Sequence, residues 1–112
     1  HTEVVRFLVE EGKADVDKAR TSDGSTPLFI AAQKGHTEVV RFLVEEGKAD
    51  VDKVNKNNQT PINIAADKGH LEVVQFLLGK GADCTIEDAW GDTPLGAAKA
   101  GGHAEVAAAL TL

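Results

Sequence analysis

Four histidines, one cysteine, two pairs of adjacent glutamates and a single tryptophan are the residues of this chain that could carry chemistry. The histidines stand at positions 1, 36, 70 and 103, a spacing regular enough to raise a metal-binding reading. Geometry opposes it. Zinc ligands lie about 2.0–2.1 Å from the ion, so two ligating nitrogens must come within roughly 4 Å of each other. Residues recurring about every 34 positions sit on equivalent units, which pack roughly 8–10 Å apart. His36, His70 and His103 are therefore expected to open helices and to bond a neighbouring loop. Cys84 as a nucleophile would need a nearby base and an orienting group. No histidine is near it in sequence, and the equivalent positions hold Val16 and Val51, so a small packed side chain is the better reading. Glu10–Glu11 and Glu45–Glu46 are sequence neighbours, and such neighbours do not face each other on a helix. Ser22 and Ser25 lack a nucleophile-elbow motif around them, and the chain has no phosphate-cradling glycine loop. Trp90 admits two readings, an exposed anchor for a partner or a cover for the adjacent loop.

The elements that position these residues follow from self-similarity. Residues 1–18, HTEVVRFLVEEGKADVDK, recur letter for letter at 36–53. A looser copy begins at His70-Leu71-Glu72-Val73-Val74, and another at His103-Ala104-Glu105-Val106. Thr26-Pro27-Leu28, Thr60-Pro61-Ile62 and Thr93-Pro94-Leu95 keep the same beat. In each unit the threonine is a good N-cap and the proline suits the first helical position. Leu28, Ala31 and Ala32 form an apolar stripe, and Gly35 is placed to end the helix in the left-handed conformation. A second helix begins near His36 or Thr37, has Glu38 in its first turn, buries Val39, Val40, Phe42, Leu43 and Val44, and stops at Gly47. Ile62, Ala65, Ala66, Val73, Val74, Leu77 and Leu78 repeat the pattern. The polar stretch between units, Ala49 to Asn58, reads as a loop or β-turn. Helices this short are marginal alone, so stacked units must cover one another.

These residues closely resemble the ankyrin repeat. Thr60 to Asp83, TPINIAADKGHLEVVQFLLGKGAD, is the clearest copy. The resemblance implies an all-α solenoid of stacked antiparallel helix pairs with hairpin-like loops. It comprises about three and a half repeats: a partial one at 1–22, then 23–56 and 57–88, and a capping-like one at 89–112. It also implies protein or peptide binding on a concave surface formed by loop tips and first-helix faces, with no catalysis and no cofactor. Carried over, the contact residues are Ser22, Asp23, Ser25, Gln33 and Lys34. In the next repeat they are Lys56, Asn57, Gln59, Asp67 and Lys68, and in the last Trp90 and Asp92, with Ala89, Ala100 and Gly101 beside them. The chain departs from the family pattern where His usually follows Thr-Pro-Leu. Phe29, Asn63 and Gly96 stand there, so the family's tie from that His to the threonine is missing. Lys13 and Lys48 are insertions expected to bulge the start of the loop, and Asn58 stands where a turn glycine is usual. Lys99 replaces the second alanine, and Ala107 to Ala109 thin the last helix, as a terminal copy with one solvated face would require.

Composition narrows the partner. Acidic residues outnumber basic ones 18 to 12, for a net charge of −6. Arg6, Arg20 and Arg41 lie off the contact list, so no nucleic acid is expected. Apolar runs such as Val106 to Leu110 are far short of the roughly 20 residues that span a bilayer, so no membrane insertion is expected. One cysteine fits a reducing, intracellular and cytoplasmic setting. The start at His1, inside a repeat, and the absence of methionine point to a piece of a longer array. Val4, Val5, Phe7 and Leu8 would then lie uncovered and favour self-association through the N-terminal end. Two other roles stay open, a spacer within a long array and a recruitment domain fused to an enzyme elsewhere.

Overall fold

A computed structural model describes residues 24–111. The partial repeat at 1–22, the uncovered patch of Val4, Val5, Phe7 and Leu8, the Lys13 insertion, Ser22 and Asp23 lie outside the described residues. Among the described residues six helices follow one another: α1 Pro27–Lys34, α2 Thr37–Glu45, α3 Pro61–Lys68, α4 Leu71–Gly79, α5 Pro94–Ala100 and α6 Ala104–Leu110. No strand occurs among the described residues. The helices form three pairs, α1 with α2, α3 with α4 and α5 with α6. The first helices α1, α3 and α5 pack on one another, and the second helices α2, α4 and α6 form a parallel, looser row.

Each first helix begins with the same device. The hydroxyl oxygens of Thr26, Thr60 and Thr93 accept the backbone N–H of Phe29, Asn63 and Gly96 at 3.1, 3.1 and 3.2 Å. The bond runs to the backbone, so it forms whatever side chain follows Thr-Pro-Leu. The absent histidine therefore costs the cap nothing. Thr26 and Thr60 are buried with their caps, which is tolerable because the hydroxyl is satisfied.

Alanines let the first helices approach closely. Ala32, Ala65, Ala66 and Ala98 are fully buried, with Leu28 and Ile62 beside them. Val40, Leu43, Val73, Val74 and Leu77 close the core from the second helices. Val44 and Leu78 are only partly buried and pack against its edge. Phe76 is partly buried against the core and has two cations over its ring. The Arg41 guanidinium is 5.2 Å and the Lys80 ammonium 5.6 Å from the ring centroid, and Lys80 also meets Glu45 at 3.4 Å. These contacts stitch α2 to α4.

The last pair is covered on one side only. Leu95, Ala107 and Leu110 are half-buried where Ile62, Val74 and Leu77 in the preceding pair are fully buried. Lys99 is exposed in the slot that Ala32 and Ala66 bury.

The second helix of this pair, α2, ends just before Gly47, as the sequence predicts, with Glu46 as its C-cap. Gly47 does not take the left-handed conformation. Lys48 does, at φ 58°, before the Ala49 N–H reaches the Leu43 carbonyl at 2.9 Å. In the following unit Gly81 takes that conformation, at φ 82°. The inserted residue thus shifts the left-handed position from a glycine to a lysine.

Candidate functional site: the row of loop tips and the ends of the first helices

The loop that precedes each first helix is a tight turn, built the same way twice. In the first, the Asn58 N–H donates to the Asn55 carbonyl at 3.0 Å, and the Asn55 N–H to the Gln59 carbonyl at 3.1 Å. The Asn55 side-chain oxygen accepts from the N–H groups of Asn57 and Gln59 at 2.9 and 3.0 Å. In the second, Gly91 donates to the Asp88 carbonyl at 3.0 Å and Asp88 to the Asp92 carbonyl at 2.9 Å. One Asp88 carboxylate oxygen accepts from Trp90 and Asp92, both at 2.9 Å. Asn and Asp favour such turns because their side chains reach the backbone two residues on. Asn58 sits at φ 57° where the later turn has Gly91 at φ 84°, as its type allows.

The turns are also tied to one another. The Ala89 N–H donates to the Asn57 carbonyl at 2.8 Å, and the Asn58 amide to the Glu87 carbonyl at 2.6 Å. The Asp83 N–H donates to the Asp52 carboxylate at 2.9 Å. Below them the buried Asn63 amide reaches the Asp92 carbonyl at 3.3 Å. These two tips are therefore fixed to each other and are not independent loops.

The residues named from sequence fall into two groups. Lys56, Asn57, Trp90 and Asp92 are exposed on the tips, with Gln59 half-buried at the base. Gln33, Lys34 and Lys68 are exposed and Asp67 half-buried at the far ends of α1 and α3. Eight residues at about 1.5 Å each put roughly 12 Å of helix between the groups. Lys68 lies 4.0 Å from Asp67, and both lysines sit in last turns, where a cation suits the helix dipole. Ser25 is a correction. It is 1% exposed, because the residue before the cap is packed beneath the turn, and it offers no surface to a partner. Trp90 is 67% exposed and does not fold over the neighbouring loop, which removes the covering role. It is the one large apolar side chain so exposed among the described residues.

Sequence reasoning missed Glu87 and Asp88, which flank Trp90. Their signal was there to read: residues 81–98 hold four acidic side chains and no basic one. Asn63 was also missed as a structural link, because nothing in its type or position announces a partner 29 residues away.

The candidates for chemistry have packing roles. His70 and His103 stand at the N-caps of α4 and α6, where their side chains make no capping bond. Instead their Nε2 atoms bond the carbonyls of Gln33 and Asp67 at 3.0 and 2.9 Å. A carbonyl only accepts, so Nε2 carries the proton. The bond reaches the last turn of the preceding unit's first helix, one element away from the loop expected. A shallow depression of about 390 Å³ beside His70 is lined by Gly35, Thr37, Gly69, Leu71, Glu72 and Val73. Its one imidazole is thus already engaged. Cys84 is half-buried against the core, its thiol 3.8 Å from the Ala82 carbonyl. Burial, and then the Asp83 and Asp52 carboxylates, push that thiol above its ordinary value, which disfavours the reactive thiolate. Asp83 itself is held below the usual carboxylate range by the hydroxyl and N–H of Thr85. Among the described residues no group of three His, Cys, Asp or Glu is placed to hold a metal ion, and no helix is long and apolar enough to cross a membrane.

Compared with known proteins, residues 1–88 match the family model for ankyrin repeats in three copies. No curated protein matches the chain significantly. The pair α5–α6 lies beyond the matched stretch, yet it repeats the threonine cap, the proline and the histidine N-cap of the pairs before it.

Proposed function

The chain belongs to the ankyrin-repeat family, and from that premise we propose that it presents a rigid surface to a partner protein or peptide. Ankyrin repeats are in general protein–protein interaction modules, and the family is typically non-catalytic. The surface proposed is the row of loop tips with the exposed ends of the first helices. The observation that carries this reading is Trp90, a large aromatic held out from a turn whose backbone is fixed by four hydrogen bonds. Binding by a pre-fixed surface loses little conformational entropy, and exposed aromatics are frequent anchors.

The reading assigns no reaction to the chain. The histidines hold neighbouring helices, and the thiol is packed and kept protonated. A reduced, half-buried Cys84 fits a reducing intracellular compartment. Residues 89–112 carry Lys99 where the earlier units have Ala32 and Ala66, a departure from the repeat pattern that supports a capping reading of this copy.

Affinity capture with the intact chain, followed by titration with the recovered partner, tests the proposal. Trp90→Ala is expected to weaken binding at least about tenfold, roughly 1.4 kcal/mol, with helicity unchanged. Equal affinity for the variant would overturn the role of Trp90. A spacer role is the second reading, favoured by the identical copies at 1–18 and 36–53, because duplication lengthens an array without tailoring its surface. Surface scanning separates the two, since a binder loses affinity at clustered positions and a spacer shows no such cluster.

A further inference from the structure

The charge around Trp90 is one-sided. Glu87 and Asp92 are exposed and Asp88 is half-buried in the same turn. A Cβ placed on Gly91, next to Trp90, would lie 4.0 Å from a Glu87 carboxylate oxygen. Among the described residues none of these three carboxylates is paired with a cation, whereas Glu45 and Asp67 elsewhere have lysine neighbours. In the adjacent loop the Lys56 Cγ lies 3.4 Å from the position of a Cβ on Gly24, while the Asn57 carbonyl accepts the Ala89 N–H. The Trp90 tip is therefore an exposed indole on a turn that carries three carboxylates and no paired cation, with Glu87 the one placed beside the neighbouring Gly91.

That combination has a matching chemistry. The face of an indole attracts cations, most of all when the site is already negative. A guanidinium stacks on an aromatic face and presents paired N–H donors to a carboxylate at its edge. We infer that the Trp90 tip is the docking point for a basic, arginine-bearing segment of a partner protein. This rests on the interaction-module reading above and names the partner's chemistry. Anionic partners such as nucleic acid or an acidic membrane surface meet repulsion at this end of the molecule.

Trp90 is the sole tryptophan and the chain has no tyrosine, so intrinsic emission from the full chain reports this tip alone. The probe is a short Gly-Ser peptide carrying paired arginines, and the control is the same peptide with glutamates in their place. The arginine peptide is expected to shift Trp90 emission saturably, and the glutamate peptide to leave it unchanged. Glu87→Gln and Asp92→Asn are each expected to weaken the arginine peptide about threefold. Asp88 is left intact because it holds the turn. Glu105→Gln removes the same unit of charge from the exposed first turn of α6 and is expected to have no effect. Unmoved emission with the arginine peptide overturns the inference. So does an equal response to the glutamate peptide, or an equal loss with Glu105→Gln, which would reduce the binding to net charge. If the inference fails while Gln33→Ala and Lys68→Ala still weaken the captured partner, the interaction-module reading stands without it. Loss of both removes both.

Discussion

His70 and Gly35 work as one contact between neighbouring units. The ring donates from Nε2 to the Gln33 carbonyl, and its Nδ1 edge fills the space over Gly35. A Cβ on Gly35 would lie 2.7 Å from Nδ1, and one on Gly69 would lie 2.6 Å from Nδ1 of His103. Gly102 has the same left-handed backbone, φ 75° against 71° for Gly35, but nothing within 4 Å of its Cβ position. The three glycines therefore separate two costs. Gly102→Ala carries only the left-handed penalty, about 1 kcal/mol. Gly35→Ala adds the displacement of His70 and its hydrogen bond, for a total of about 2–3 kcal/mol. Urea denaturation midpoints of the two variants check this, and the excess should vanish when Gly35→Ala is made in a His70→Ala background. Equal losses for Gly35→Ala and Gly102→Ala would sink the account. Sequence made the left-handed role of Gly35 legible, since it follows the last periodic residue of its helix. It hid that glycine's second role, because the ring that needs the space lies 35 positions away.

Among the elements, the first helices are the most legible. Thr-Pro-x sets both the cap and the first turn locally, so α1, α3 and α5 begin where the sequence places them. The end of α2 is less so. The helix does stop just before Gly47, but the left-handed position falls on the inserted Lys48, at φ 58°. The reason lies in the partner and not in the propensity. The Ala49 N–H must still reach the Leu43 carbonyl, and the extra residue leaves Lys48 at the point where the chain reverses. A lysine there is strained in a way that glycine is not. Lys48→Gly is expected to raise stability by about 0.5–1 kcal/mol after glycine's greater unfolded-chain entropy is subtracted, a rise of a few degrees in melting temperature. A lower melting temperature for the variant would show that the turn carries no such strain.

At the scale of the whole molecule, each helix pair is supported mainly by its neighbours. Ile62, Ala65, Ala66, Val73, Val74 and Leu77 are fully buried in the middle pair, whereas Leu95, Ala107 and Leu110 of the last pair are half-buried. Hydrogen exchange should therefore be slowest in α3 and α4, with α5 and α6 exchanging at least about tenfold faster. Uniform protection across the three pairs would mean that the stack opens only as a unit. By itself the sequence determined the repeat, the helix pairs, the caps and the apolar faces, because each is encoded within a few residues by periodicity and by the special conformations of Thr, Pro and Gly. Only the tertiary structure decided that Ser25 is covered, that Asn63 binds the next turn, that Trp90 is largely exposed and that Glu87 and Asp92 of its turn have no paired cation among the described residues. Those outcomes depend on which groups stacking brings together from units more than 25 residues apart, and on which it leaves in water. No local pattern specifies either one.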